Sequence, residues 1–408
     1  MNLQTKILED LIKKYEKSKH LRSPNQSNRR VFLSKEKGEL KGYQWESVSS
    51  SALFAEEAQF LEKEELIAIQ WEVAGRVLAQ VSLNLQNIEK SYGLLGKNPP
   101  WVEAEVAVSL LRGSLEGLCC PWLIRWREDI VESIEITWKL PSFFKKGENY
   151  VKNLCFLLVA FAGVPEGGMT LRSFSIQVFH NSKDLEKVYL DDFLKILREY
   201  HPELSELWKE TSLSEKEMLQ LVGLTPRGEL FQLSGDIVLE FPQGSLDVGA
   251  VGACGLALTA ESCKNITNIQ MKQVKELYFI ENKTNYDAFV LSKKEGQAAI
   301  YHGGFFSPSK GVFFQKFLPY VENRTVYFWG DIDMGGFSMY KRLHGVFSNL
   351  VPYCMGREEV LLYGNLGLKR SDEYLVKLEE VQGEFPMFGE VITEILRLGV
   401  TIEQEVML

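Results

Sequence analysis

Cysteine is scarce, and Cys119, Cys120, Cys155, Cys254, Cys263 and Cys354 form no Cys-x-x-Cys spacing. That excludes the common zinc modules, and the six read as reduced thiols, mostly in apolar surroundings. A nucleotide-binding loop is missing as well. Gly93-Leu94-Leu95-Gly96-Lys97-Asn98 has neither the spacing nor the Ser/Thr of a P-loop, so any ATP-driven step belongs to another protein. The longest apolar run, Leu154 to Val164, is too short to cross a bilayer. The charged amphipathic start, Met1 to Asp10, lacks the features of a secretory signal, and a cytoplasmic protein without membrane association is expected. An excess of basic residues is also absent. The net charge of −9 argues against a chain that coats nucleic acid over its whole surface, while leaving room for a local basic patch.

What is present is an ordinary globular composition, 45% hydrophobic and 25% charged, over 408 residues, enough for two or three domains. Residues 2 to 18 read as a helix with Leu3, Ile7, Leu8, Leu11, Ile12 and Tyr15 on or near one face. Lys13, Lys14, Lys17, Lys19, Arg22, Arg29 and Arg30 follow against the single acid Glu16. This patch suits either DNA phosphate or solvent. A helix from Ser50 to Leu61 leads into two strands, Leu66 to Trp71 and Val77 to Leu85, the local shape of a winged helix. A long helical stretch runs from Trp101 to about Trp126, with Trp101, Trp122, Trp126 and Trp138 as core or interface anchors. Leu154 to Ala162 reads as a buried element, and Arg172 to Ile176 as a strand followed by a turn. A helix from Lys187 to Tyr200 is expected to bury Val188, Phe193, Leu194 and Leu197. Ser214 and Glu217 form a capping box, and Glu229–Ser234, Gly235-Asp236 and Ile237–Phe241 give a second helix-plus-hairpin.

The chemistry lies between Lys275 and Tyr340. Glu276 to Ile280 is a short apolar strand ending in Glu281-Asn282. Ala298 to Tyr301 ends in His302-Gly303-Gly304-Phe305, and Thr325 to Trp329 ends in Gly330-Asp331-Ile332-Asp333. Strands alternating with helices imply a parallel sheet, where ligands sit beyond the carboxyl ends of the strands. Asp331 and Asp333 lie two apart, so extended backbone points both to one face, and Glu281 approaches from the neighbouring strand end. Three carboxylates there raise one another's pKa unless a cation joins them, and an all-oxygen cluster suits Mg2+ or Mn2+. Each acid also has a plainer reading: Asp333 as the cap of a helix beginning near Gly335, and Glu281 as the cap of one beginning near Asn285.

A strand ending in Glu, then Gly-Gly, then a strand ending in Asp-x-Asp resembles a toprim domain. Within that group, Phe279-Ile280-Glu281-Asn282-Lys283-Thr284-Asn285-Tyr286, Tyr301-His302-Gly303-Gly304-Phe305 and Tyr327 to Phe337 are most similar to the JetD family. That family supplies the nuclease subunit of the Wadjet anti-plasmid system and is related to the topoisomerase VI A subunit. Tyr15-Glu16-Lys17-Ser18-Lys19 with Asn28-Arg29-Arg30-Val31, Arg172 to Ile176, Asn181 to Glu186 and the terminal Glu403-Gln404-Glu405 are similar as well.

The resemblance implies an α/β and α+β multidomain chain. Residues 1–165 form an N-terminal arm with a winged-helix-like region, 166–270 a CAP-like winged-helix domain, and 271–408 a toprim domain with a Rossmann-like parallel sheet. It further implies a homodimer that cuts double-stranded plasmid DNA together with a condensin-like SMC ATPase complex. Glu281, Asp331 and Asp333 are then the catalytic residues and the ligands of Mg2+ (or Mn2+). Gly303 and Gly304 let backbone approach phosphate, Lys17, Lys19, Arg22, Arg29 and Arg30 contact DNA, and Glu403 and Glu405 add outer acids. The rivals are a topoisomerase VI A-like transesterase and a non-catalytic DNA-docking subunit. No tyrosine occurs between Tyr200 and Tyr278, which sides with hydrolysis over transesterification.

Overall fold

The computed structural model describes residues 3–22, 30–37, 39, 48–73 and 77–408. The chain divides into two compact units, one of residues 1–110 and 131–140 and one of residues 111–130 and 141–408.

In the first unit the helix Leu3–Glu16 buries Ile7, Leu8, Leu11, Ile12 and Tyr15, the face its periodicity defines. The helix Val48–Lys63 precedes the antiparallel pair Ile67–Val73 and Val77–Leu83, and Phe32–Ser34 adds a third strand beside Val77–Leu83. The apolar sides of these elements share one core with Phe54, Leu61, Leu78, Val81 and Tyr92.

The long helix expected from Trp101 to Trp126 is two helices, Pro100–Ser114 and Pro121–Thr137. Gly117 takes φ +71, and Pro121 has no amide to continue the earlier helix. Arg172–Ile176 is helical rather than extended, inside the helix Leu171–Phe179. The Thr170 hydroxyl accepts from Ser173 N and caps it, and Phe174 and Val178 are buried four residues apart. The next helix runs Leu190–Tyr200 after a wide turn at Leu185–Tyr189, which leaves Val188 exposed and buries Leu185 and Tyr189 instead. Of the six thiols only Cys155 and Cys263 are buried, so the apolar setting expected for most of them holds for those two.

The second unit is built on a six-stranded sheet. Its strands are β1 (Leu230–Ser234), β2 (Leu256–Thr259), β3 (Glu276–Ile280), β4 (Gln297–Tyr301), β5 (Thr325–Trp329) and β6 (Leu350–Pro352), in the order β6-β5-β3-β4-β1-β2. The four strands from β3 to β6 are parallel, and β1 and β2 run antiparallel at the far side. Leu277 to Ile280 are all buried, the near-continuous apolar run that a strand covered on both faces requires.

Glu229–Phe241 is therefore not a hairpin. The strand β1 pairs with β4 and β2, while Val238–Phe241 pairs with Gly244–Asp247 and Asn268–Gln270 in a separate sheet. Gly235 makes the exit: at φ +131 a Cβ there would lie 2.6 Å from the Ala298 side chain. Strands β1 and β2 precede residue 270 and β3 to β6 follow it, so one sheet spans the expected boundary.

Helices join the parallel strands: α1 (Lys283–Ser292) between β3 and β4, α2 (Pro308–Gln315) between β4 and β5, and α3 (Met334–His344) between β5 and β6. Phe314 of α2 is fully buried, with its ring centroid 5.0 Å from Phe279 of β3 and 5.2 Å from Phe306. Phe314→Ala should lower stability by about 3–5 kcal/mol through lost burial and the cavity left behind. Denaturant titration monitored by circular dichroism measures it, and a shift under 1 kcal/mol would contradict this account of the core.

Candidate active site

Pairing fixes where the polar tails emerge. Ile280 is level with Trp329 on one side and with Tyr301 on the other, so the residues that follow leave one end of the sheet together. Glu281 extends the ladder by one step, donating its amide to Trp329 O at 2.9 Å. Its Oε2 then accepts from Asp331 N at 3.1 Å. Gly330 permits this approach, because a Cβ there would meet Glu281 Oε2 at 2.6 Å and the Phe328 ring at 2.7 Å.

The two aspartates are held differently. Asp331 Oδ1 accepts from the backbone amide of Gln404 at 2.7 Å. Asp333 caps α3, its Oδ1 accepting from Gly336 N at 2.9 Å, and its Oδ2 lies 3.2 Å from Arg370 Nη2. The capping role considered for Asp333 is real; the corresponding one for Glu281 is not. Asn282 caps α1 instead, accepting from Thr284 N at 2.8 Å. Gly336 lets the start of α3 close on the Asp331 carbonyl, which a Cβ would approach to 1.9 Å.

Burial and like charge both act on the pair. Glu281 is held well above the usual carboxylate range, first by burial and then by Asp331, with Asp333 and Glu217 adding to it. Asp331 is pushed up to about 6, first by burial; the Gln404 amide opposes this, and Asp333, Glu405 and Glu403 add to it. Among the described residues, no three His, Cys, Asp or Glu side chains converge closely enough to hold a metal ion. Glu281 and Asp331 do fit a hard divalent cation as oxygen donors whose mutual repulsion it would relieve. Asp333 has its countercharge already, in Arg370.

The glycine pair follows β4. Gly303 and Gly304 both take positive φ, +59 and +44. Gly303 packs on the Tyr301 ring, whereas nothing lies within 4 Å of a Cβ built on Gly304. The buried Lys310 of α2 donates to the His302 carbonyl just ahead of this turn, and burial lowers its pKa to about 8.

Of the basic patch, Lys17, Lys19, Arg22 and Arg30 are exposed, and Arg29 lies outside the described residues. Arg22 donates to Thr137 O at 2.5 Å, and Lys14 is spent on Glu39 and the Phe32 carbonyl. On α3, Lys341 pairs with Glu210 and Glu384, and Arg342 with Glu203, so neither stands open to phosphate. Sequence reasoning missed Gln404, Arg370, Asn282, Gly330 and Glu217. A glycine after an apolar strand hints at Gly330, and Asn282 directly follows Glu281; Gln404, Arg370 and Glu217 are brought in by chain far from the acids.

Residues 246–408 match the family described as Wadjet protein JetD, C-terminal. The whole chain aligns over 420 positions, at 26% identity, with 98% of the Wadjet protein JetD of Bacillus cereus (strain Q1). The chain is thus similar to JetD over its whole length. The matched C-terminal family region contains all three carboxylates and the tail that holds Asp331.

Neutral isosteres keep the acceptors of the two acids and remove their charge. In EDTA at pH 7.5, Asp331→Asn should therefore stabilise the protein by roughly 1–3 kcal/mol, with Glu281→Gln acting in the same direction. A raised folded pKa means that the folded state retains protons which the unfolded chain releases between about pH 4 and 6, so the Asn variant's advantage is greatest above that window and vanishes toward pH 4. Thermal melts at several pH values measure this; an equal or lower melting temperature for both variants at pH 7.5 would refute the repulsion.

Proposed function

We propose that this chain is the nuclease subunit of a Wadjet-type defence complex: a metal-dependent endonuclease that cuts double-stranded plasmid DNA, acting as a homodimer with a condensin-like SMC ATPase complex. The observation that carries the reading is the contact of Glu281 Oε2 with Asp331 N at 3.1 Å, at the carboxyl ends of adjoining parallel strands. The similarity to JetD supports the setting, and the ladder supports the chemistry.

Mg2+ or Mn2+, when bound, supplies Lewis-acid polarisation of the scissile phosphate and an acidified water. Glu281 and Asp331 would hold it, and Asp333 would join if it exchanged Arg370 for the cation. The raised pKa of Glu281 also suits a group that takes a proton from water, so ligand and base both remain open to it. Gly304, with open space beyond its Cα, lets backbone approach a phosphate. Exposed Lys17, Lys19, Arg22 and Arg30 form the basic surface proposed for DNA, and Arg29, outside the described residues, is proposed to contact DNA as well. The division into an arm, a CAP-like winged-helix region and a toprim region belongs to this same proposal.

Glu281→Ala should reduce Mg2+- or Mn2+-dependent cleavage of circular plasmid, assayed with the SMC partner complex, about a hundredfold or more. DNA affinity should change less than about threefold, since the carboxylate is asked for chemistry and not for docking. Gel cleavage and fluorescence anisotropy measure the two. Unchanged cutting by the variant refutes the site, and salt-sensitive binding without cleavage by the wild type favours a docking subunit.

A further inference from the structure

Gln404 is fully buried, and two of its groups are used on the tails that carry the acids and a third on the helix α1 that follows one of them. Its backbone amide donates to Asp331 Oδ1 at 2.7 Å, its side-chain Oε1 accepts from Asn282 N at 3.0 Å, and its carbonyl accepts from Asn285 Nδ2 at 2.8 Å. The segment is anchored beside these contacts: Ile332 and Ile402 form an antiparallel bridge, with Ile332 N 2.9 Å from Ile402 O. Glu405 extends the hold by accepting from Asn282 Nδ2. Among the described residues, it is the Gln404 amide that holds the Asp331 carboxylate.

We propose that Gln404 is a positioning residue for the acid pair, clamping the strand end that carries Glu281 and Asn282 to the Asp331 carboxylate. This rests on the reading of Glu281 and Asp331 as cation ligands. Outer partners that orient ligating carboxylates typically control metal affinity by about tenfold or more. Gln404 differs from the usual side-chain partner because the contact to the acid is made by its main chain, so substitutions that keep the amide keep that contact.

Local geometry supplies a selective probe. Gln404 is the first residue of the turn Gln404–Met407, and Glu403 ahead of it has φ −77 and ψ 141. Both features accept proline, which is favoured at a first helical position and requires an extended residue before it. Gln404→Pro thus deletes the amide and the side chain together, whereas Gln404→Ala deletes only the side-chain acceptor.

The full chain and both variants are titrated with Mn2+ by electron paramagnetic resonance and melted in EDTA. Gln404→Pro is expected to weaken Mn2+ binding about tenfold or more and to raise by a similar factor the Mn2+ concentration for half-maximal plasmid cleavage, with Gln404→Ala falling between it and wild type. Melting temperatures should stay within a few degrees of wild type for at least the Ala variant. Wild-type Mn2+ affinity in Gln404→Pro overturns the clamp alone. Affinity lost only in proportion to lost folded protein in both variants also overturns it, leaving a structural role. A wild-type chain that binds no Mn2+ overturns the metal reading beneath it.

Discussion

The parallel pairing of Glu276–Ile280 with Thr325–Trp329 is the constraint on which the site depends. It sets Ile280 opposite Trp329, which brings Glu281 alongside Gly330 and Asp331. A slip of one residue in this ladder would turn Glu281 toward the opposite face and bring another side chain against the Asp331 amide. The register is secured by what surrounds it: apolar residues buried along both strands, and helices that return the chain between successive parallel strands. Packing far from the carboxylates thus sets the distance between them.

Much of this was legible in the sequence because the informative residues are local. The ends of β3 and β5 follow from short apolar runs that stop at polar residues, and they match the structure residue for residue. The first helix and the Ser214–Glu217 capping box were legible for the same reason: periodicity and caps act within a few residues. Arg172–Ile176 reads as a strand in isolation, while the Thr170 cap and the buried pair Phe174 and Val178 select a helix. The supposed hairpin after Glu229 failed for a different reason. A turn at Gly235-Asp236 is visible in sequence, but not that β1 pairs with β4, across a separation of more than sixty residues.

The site itself was half legible. Three acids at strand ends can be listed from sequence, and the proximity of Glu281 and Asp331 follows once the sheet is parallel. Their partners cannot. Asp333 is drawn to Gly336 and Arg370, and Asp331 to Gln404, so the acids are not equivalent as their spacing suggests. The Gln404 contact joins positions 73 apart through a backbone amide, which no residue type advertises.

Arg370 gives the arrangement its other half. A carboxylate cluster with no cation would push apart the chain segments that carry it, yet here one of the three acids is already neutralised by a guanidinium 3.2 Å away. Under the metal-dependent reading proposed above, the chain would thereby differ from proteins that stay unfolded until metal arrives. Construction and loading would, on that reading, be separate events, and a cell short of the ion would accumulate a finished but silent molecule.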